Sequence, residues 1–372
     1  MSSSVICINP IRRANRLNRD GRGGKSVKRI DWLDAAKGIG IILVVAGHTG
    51  STSSTVTNYI FSFHMPLFFF LSGYLFTAGK YGFGSYVRKK AKSLLIPYFV
   101  FAFATYAYWA VIGRKFGNDA ELDIPLLKPL AGILYSNGVD HWLVFDTPLW
   151  FLTCLFLVEI GFYLLSKRVR RQGVLFLALV ALSVIGYLDS LYLPFRFPWG
   201  FDVALTAMLF YGCGYLAKSN ALRFRRWQAP RYCLPLAAAF LIIGYIAGGA
   251  NGRVDMNLHQ YGNYFYFYIA AFAGLAGWLL VSRTLASLRP LRFLGENTLL
   301  IMAVHLILLS FAKAVVVFLL DIPLQDTRTP LWALLYTSGV VAMAVPLIFF
   351  VNRYLFFALG KSGGSKATAF NA

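Results

Sequence analysis

Residues 297–318 read Asn297-Thr-Leu-Leu-Ile-Met-Ala-Val-His305-Leu-Ile-Leu-Leu-Ser-Phe-Ala-Lys313-Ala-Val-Val-Val-Phe318, an apolar run interrupted only by His305 and Lys313. A helix needs about 20 mainly apolar residues to cross about 30 Å of hydrocarbon, and this run has that length. Comparable runs occupy 33–50, 57–77, 94–112, 148–165, 174–191, 199–217, 233–250, 264–282 and 331–351. The expectation is an all-α integral membrane protein of about ten transmembrane helices. The first run is broken by Asp34 and Lys37, and the fifth closes on Gly186 and Asp189.

Composition agrees. Of the 372 residues, 58% are hydrophobic and only 14% charged, against about 25% charged in soluble domains; the mean hydropathy is +0.61. The 36 Lys+Arg and 15 Asp+Glu leave a net charge of +21. On a soluble chain that excess points to nucleic acid; here it points to basic loops on the cytoplasmic side, and no nucleic-acid partner is expected. The cations collect on alternate connections: Arg12 to Arg29, Lys80 to Lys92, Lys167 to Arg171, Lys218 to Arg231, Arg283 to Arg292, and the C-terminal end. The intervening loops hold few, such as Arg114, Lys128 and Arg253, while the acids show the reverse bias. Both termini are therefore expected in the cytoplasm, since losing one span would put adjacent basic loops on opposite faces. The expected organisation is a disordered basic tail over 1–29, a membrane domain over 30–358 and a short tail over 359–372. Cys7, Cys154, Cys213 and Cys233 have neither CxxC spacing nor a disulfide pattern, so no metal site is expected.

Ionisable groups inside hydrocarbon are costly and mark function. Lys37 and His48 are eleven residues apart, which at about 100° and 1.5 Å per residue puts them on one face about 16 Å apart. Asp34 is within one turn of Lys37 and can pair with it, which on spacing alone makes an interfacial ion pair as good a reading as a site. His64 follows in the second run, beside Pro66, which removes a backbone donor. A short uncharged loop separates the two runs, so His48 and His64 can meet in the outer half. Ser72 and Gly73 suit close helix approach. The cluster Arg88, Lys89, Lys90 and Lys92 suits phosphate or anionic lipid, though topology explains it equally. Tyr135, Trp142, Trp199, His259 and Tyr261 lie in external loops, where interfacial belts place aromatic residues.

The blocks Asp34-x-x-Lys37-Gly38-Ile39 to Gly47-His48, Phe63-His64-Met65-Pro66-Leu67-Phe68 to Ser72-Gly73-Tyr74, and the basic run ending in Pro97-Tyr98 resemble the family-three membrane acyltransferases, in particular the short fucose O-acetylase-like branch. Pro148-Leu149-Trp150-Phe151-Leu152 and Phe293-Leu294-Gly295-Glu296-Asn297 with His305 are further similar pieces. The resemblance implies ten helices, acetyl-CoA taken from the cytoplasm as donor co-substrate, and acyl transfer to a hydroxyl of a lipid-linked or exported glycan in a bacterial inner membrane. It implies that Lys37 and His48 are the family's cation and histidine, with Lys where many relatives have Arg. Under it, Lys37, Arg88, Lys89, Lys90 and Lys92 hold the nucleotide phosphates and His48 is general base, or carries the acetyl group itself. His64 donates to the oxyanion or orients His48, while Asp34, Ser72, Trp150, Glu159, Asn297 and His305 are candidates to line the cavity. The rival expectation is a secondary transporter relaying protons through Asp34, Glu159, His48 and His305, against which no inverted repeat is visible.

Overall fold

In the computed structural model, residues 29–115, 122–221 and 230–361 are described. Apart from Arg29 and 359–361, the expected tails lie outside the described residues, as does Cys7. Helix α1 (Asp31–His48) and α2 (Ser54–Leu75) are joined by a short turn in which the Ser53 hydroxyl accepts the Val56 N–H at 3.4 Å. Then come α3 (Phe83–Lys90) and α4 (Ile96–Val111), continuous through a π-helical turn at Ala91–Leu95. That widened turn directly precedes Pro97, whose missing N–H would leave a regular ladder short of a donor. The order continues with α5 (Leu127–Tyr135), α6 (Trp150–Arg168), α7 (Gln172–Tyr192), α8 (Phe201–Ser219), α9 (Pro230–Asn251) and α10 (Tyr264–Thr284). Last are α11 (Arg289–Glu296), α12 (Thr298–Phe318) and α13 (Pro330–Tyr354). No strand occurs among the described residues; one isolated bridge joins Asp255 to Gln260.

Eight of these segments are long and apolar enough to cross a membrane by length and composition. The expected spans 33–50 and 57–77, now α1 and α2, do not reach that level. The physical reason is their position. Beyond Asp31, no residue of α1 is exposed, and none of α2 is exposed between Thr57 and Tyr74. The other helices shield this pair from lipid, so it can carry Asp34, Lys37, His48 and His64 where a lipid-facing helix cannot. Peripheral α7, by contrast, turns Leu177, Ile185 and Leu188 outward.

Small residues draw the central pair against its neighbours, as expected where lipid supplies no hydrophobic drive between helices. A Cβ on Gly73 would strike the Tyr211 backbone, and one on Gly214 the Phe70 backbone, so α2 and α8 touch main chain to main chain. Gly38 and Gly295 do the same for α1 and α11. Among the described residues, basic side chains from several connections gather at one end of the bundle. There Arg29 pairs with Glu296, the Arg292 Nη1 lies 3.0 Å from Asp31, and the Lys218 ammonium donates to the Phe76 carbonyl at 2.9 Å. At the opposite end Tyr187 donates to Gly262 O and Tyr135 to Arg196 O.

Candidate active site

A cavity of about 220 Å³ runs between α1, α2, the start of α6, the start of α12 and the loop before α10. Lys37, Ser72 and Leu94 line its basic end, and His48, His64 and Asp255 its other end. Between them the wall is apolar, from Ile41, Val44, Phe68, Phe151 and Met302. The helical stripe defined by the Lys37–His48 spacing forms one wall of this cavity. At its basic end the Lys37 ammonium is 3.1 Å from Asp34 Oδ1, both side chains largely buried.

The three histidines on α1, α2 and α12 share one arrangement. The Nδ1 atoms of His48, His64 and His305 lie 2.8, 2.8 and 2.7 Å from the carbonyls of Val44, Ile60 and Met302. A carbonyl only accepts, so each Nδ1 carries the proton and, in the neutral ring, each Nε2 is a free base. The local cause is helix geometry: each side chain leans back over the preceding turn and reaches a carbonyl three or four residues earlier. This qualifies an expectation for His64, whose neutral ring accepts at Nε2 and so offers an oxyanion no donor. His305, on α12, packs its ring at 5.1 Å from that of His48, and its Nε2 is buried without a hydrogen-bond partner. The placement of α12 beside α1 required the tertiary structure.

Two residues at this end were missed by sequence reasoning. Asp255 and Asn257 enter the wall from the loop between α9 and α10. Burial raises the Asp255 carboxyl above its ordinary value, with the Leu258 N–H, the Arg253 guanidinium and the His48 ring acting in the opposite direction. Asp255 therefore lies within electrostatic reach of His48. The only sequence signal was an acid in an external loop, indistinguishable from the other outer acids.

Several expected residues stand elsewhere. Ser72 and Trp150 line the cavity, but Asp34, Glu159, Asn297, His305 and the cluster Arg88, Lys89, Lys90 and Lys92 are outside its wall among the described residues. Glu159 is a buried hub that accepts from Tyr86, from Tyr211 at 2.6 Å and from Lys90 at 2.5 Å. Lys90 is thereby neutralised by a protein carboxylate, and Lys89 donates to the Tyr81 hydroxyl at 3.1 Å. Asn297 bonds the Phe293 carbonyl and accepts from Asn352, joining the α11–α12 break to α13. Most external aromatics are structural: Trp199 Nε1 donates to Leu134 O, and Tyr261 is fully buried with its hydroxyl 2.8 Å from Thr206 Oγ1.

The segments that form this cavity come from across residues 30–351, and over that range the chain matches the family model described as an acyltransferase domain. No curated protein and no solved structure matches it.

Proposed function

This chain belongs to the acyltransferase-3 family of membrane proteins, and from that premise we propose that it moves an acetyl group from cytoplasmic acetyl-CoA to a hydroxyl of a membrane-associated or exported glycan. The observation that carries the reading is the cavity with a cation at one end, a pinned imidazole at the other and an apolar throat between. A donor with an anionic head and a long, weakly polar arm ending in a thioester has this pattern. Lys37 takes the head, with Arg88, Lys89 and Lys92 contributing positive charge from outside the cavity wall, and the arm lies along Ile41 and Val44 so that the thioester reaches His48. We leave Lys90 out of this set because its ammonium is turned onto buried Glu159 away from the cavity wall, whereas Lys37, although paired with Asp34, lines the cavity itself.

The acceptor hydroxyl enters from the end covered by the Asp255–Asn257 loop. His48 Nε2 takes its proton as the oxygen attacks the thioester carbonyl. Asp255 favours the imidazolium that forms, and the Asn257 amide, in the same stretch of wall, donates to the oxyanion. Collapse of the tetrahedral species breaks the carbon–sulfur bond, and the proton passes from His48 to the departing thiolate. The products are the O-acetyl ester and the free thiol. In this reading α1 and α2 complete ten crossings of a bacterial inner membrane, with both termini on the basic, cytoplasmic side, and the acceptor is lipid-linked.

Membranes containing the protein, supplied with labelled acetyl-CoA and a lipid-linked glycan, are expected to place label in base-labile esters on the glycan. Glycan mass spectra unchanged by the protein, with no label transferred, would sink the proposal.

A further inference from the structure

At the end of the bundle remote from the basic connections, Asp189 at the end of α7, Asp202 in the first turn of α8 and His259 in the loop before α10 converge. Their ligand atoms all lie within 4.8 Å of one another. The side chains are 10%, 0% and 5% exposed, in that order. Asp202 is well served: Oδ2 accepts from Arg196 Nε at 2.5 Å and from the Phe197 N–H, and Oδ1 from the Val203 N–H at 2.8 Å. Asp189 Oδ2 and His259 Nε2, in contrast, are buried with no hydrogen-bond partner.

Buried polar atoms nearly always have a partner. These two orphans face each other across 3.7 Å, too far for a direct hydrogen bond. It is, however, within the span of two ligands on one ion: with bonds of about 2.1 Å to the metal, it corresponds to an angle of roughly 125°, somewhat wider than tetrahedral. Charge points the same way. The Arg196 guanidinium offsets one carboxylate, and with a neutral imidazole the other remains uncompensated in a buried site.

We propose that Asp189, Asp202 and His259 bind one divalent transition-metal ion of the zinc class. One imidazole nitrogen with two carboxylate oxygens is a set that such ions accept and that calcium or magnesium, which take oxygen ligands, does not favour. Three protein ligands leave a position for water. The ion ties α7 and α8 to the loop that carries Asp255 and Asn257 into the cavity, and Arg196 adds a second tie by donating to the Asn257 carbonyl at 2.9 Å. Its role is to hold that loop in place. The three positions come from three different elements, with His259 far along the chain from the two acids, and include no cysteine, which is why the cysteine pattern suggested no metal.

The test uses the full chain purified in detergent, stripped with a chelator and titrated with zinc chloride. One zinc per chain is expected, with a higher melting temperature and X-ray absorption showing nitrogen and oxygen neighbours only. Asp189→Asn and His259→Gln should each weaken binding tenfold or more and abolish the melting shift. Zinc bound equally by both variants, zinc held through sulfur, or no zinc bound by the wild-type chain would overturn the proposal. Because Asp189→Asn removes a charge without changing shape, a folded variant that keeps full zinc affinity is decisive even if His259→Gln fails to fold.

Discussion

Replacing His48 by alanine separates the chemistry from the fold, because the two losses differ in size. On the stability side, the ring makes one hydrogen bond, Nδ1 to the Val44 carbonyl at 2.8 Å, and packs against Phe61 and His305 at 5.6 and 5.1 Å. The Val44 carbonyl stays paired after truncation, since in a helix it also accepts the amide of residue 48. One hydrogen bond is worth about 0.5–1.5 kcal/mol, and the ring already borders a cavity, so the total cost should be about 1–3 kcal/mol, an ordinary value for a point substitution. On the rate side, a positioned general base contributes about 10²–10⁴-fold, or roughly 3–5.5 kcal/mol of barrier at 1.36 kcal/mol per decade. His48→Ala should therefore melt within several degrees of the wild type while transferring at most about a hundredth as much acetyl label from acetyl-CoA. His48→Gln should behave alike, because a glutamine amide is not a base. A folded His48→Ala protein that keeps more than a tenth of wild-type turnover would refute the role of His48.

Lys37→Ala should raise the apparent KM for acetyl-CoA about tenfold or more with a smaller change in kcat, and should leave Asp34 without its 3.1 Å partner; steady-state kinetics at varied donor concentration reads this out. Glu159→Gln should destabilise the protein by about 3 kcal/mol, the scale for breaking a buried pair, because the Lys90 charge loses its 2.5 Å partner. The double variant with Lys90→Met should recover much of that loss in a thermal melt, and its transfer activity should survive. Asp146, just before α6, has both carboxylate oxygens buried without partners, and burial holds its pKa well above 3.8. Burial favours its neutral form over the charged one in the fold, so this contribution is complete below pH 3.8 and is lost as pH rises through the higher folded value. Asp146→Asn should flatten that decline in melting temperature with rising pH, and an unchanged pH profile would rule out a buried neutral acid there.

The sequence determined whatever depends on spacing along one helix. Apolar run length fixed most helices to within a few residues, the eleven-residue interval put Lys37 and His48 on one wall, and three residues between Asp34 and Lys37 allowed their ion pair. What it could not determine is which helices touch. His305 meets His48 only because α12 packs beside α1, and Glu159 proves to be a structural hub because α3, α6 and α8 surround it with Tyr86, Lys90 and Tyr211. Asp255 and Asn257 reach the cavity from a loop more than 200 residues from His48, and nothing in their local pattern distinguishes them from other polar loop residues. The polarity of α1 and α2, a weakness when each is read as a lipid-facing span, is explained by their central position. Periodicity is a property of one element and is written in its own residues, whereas a site assembled between elements depends on side-chain packing between segments distant in the chain, and that information exists only in the folded molecule.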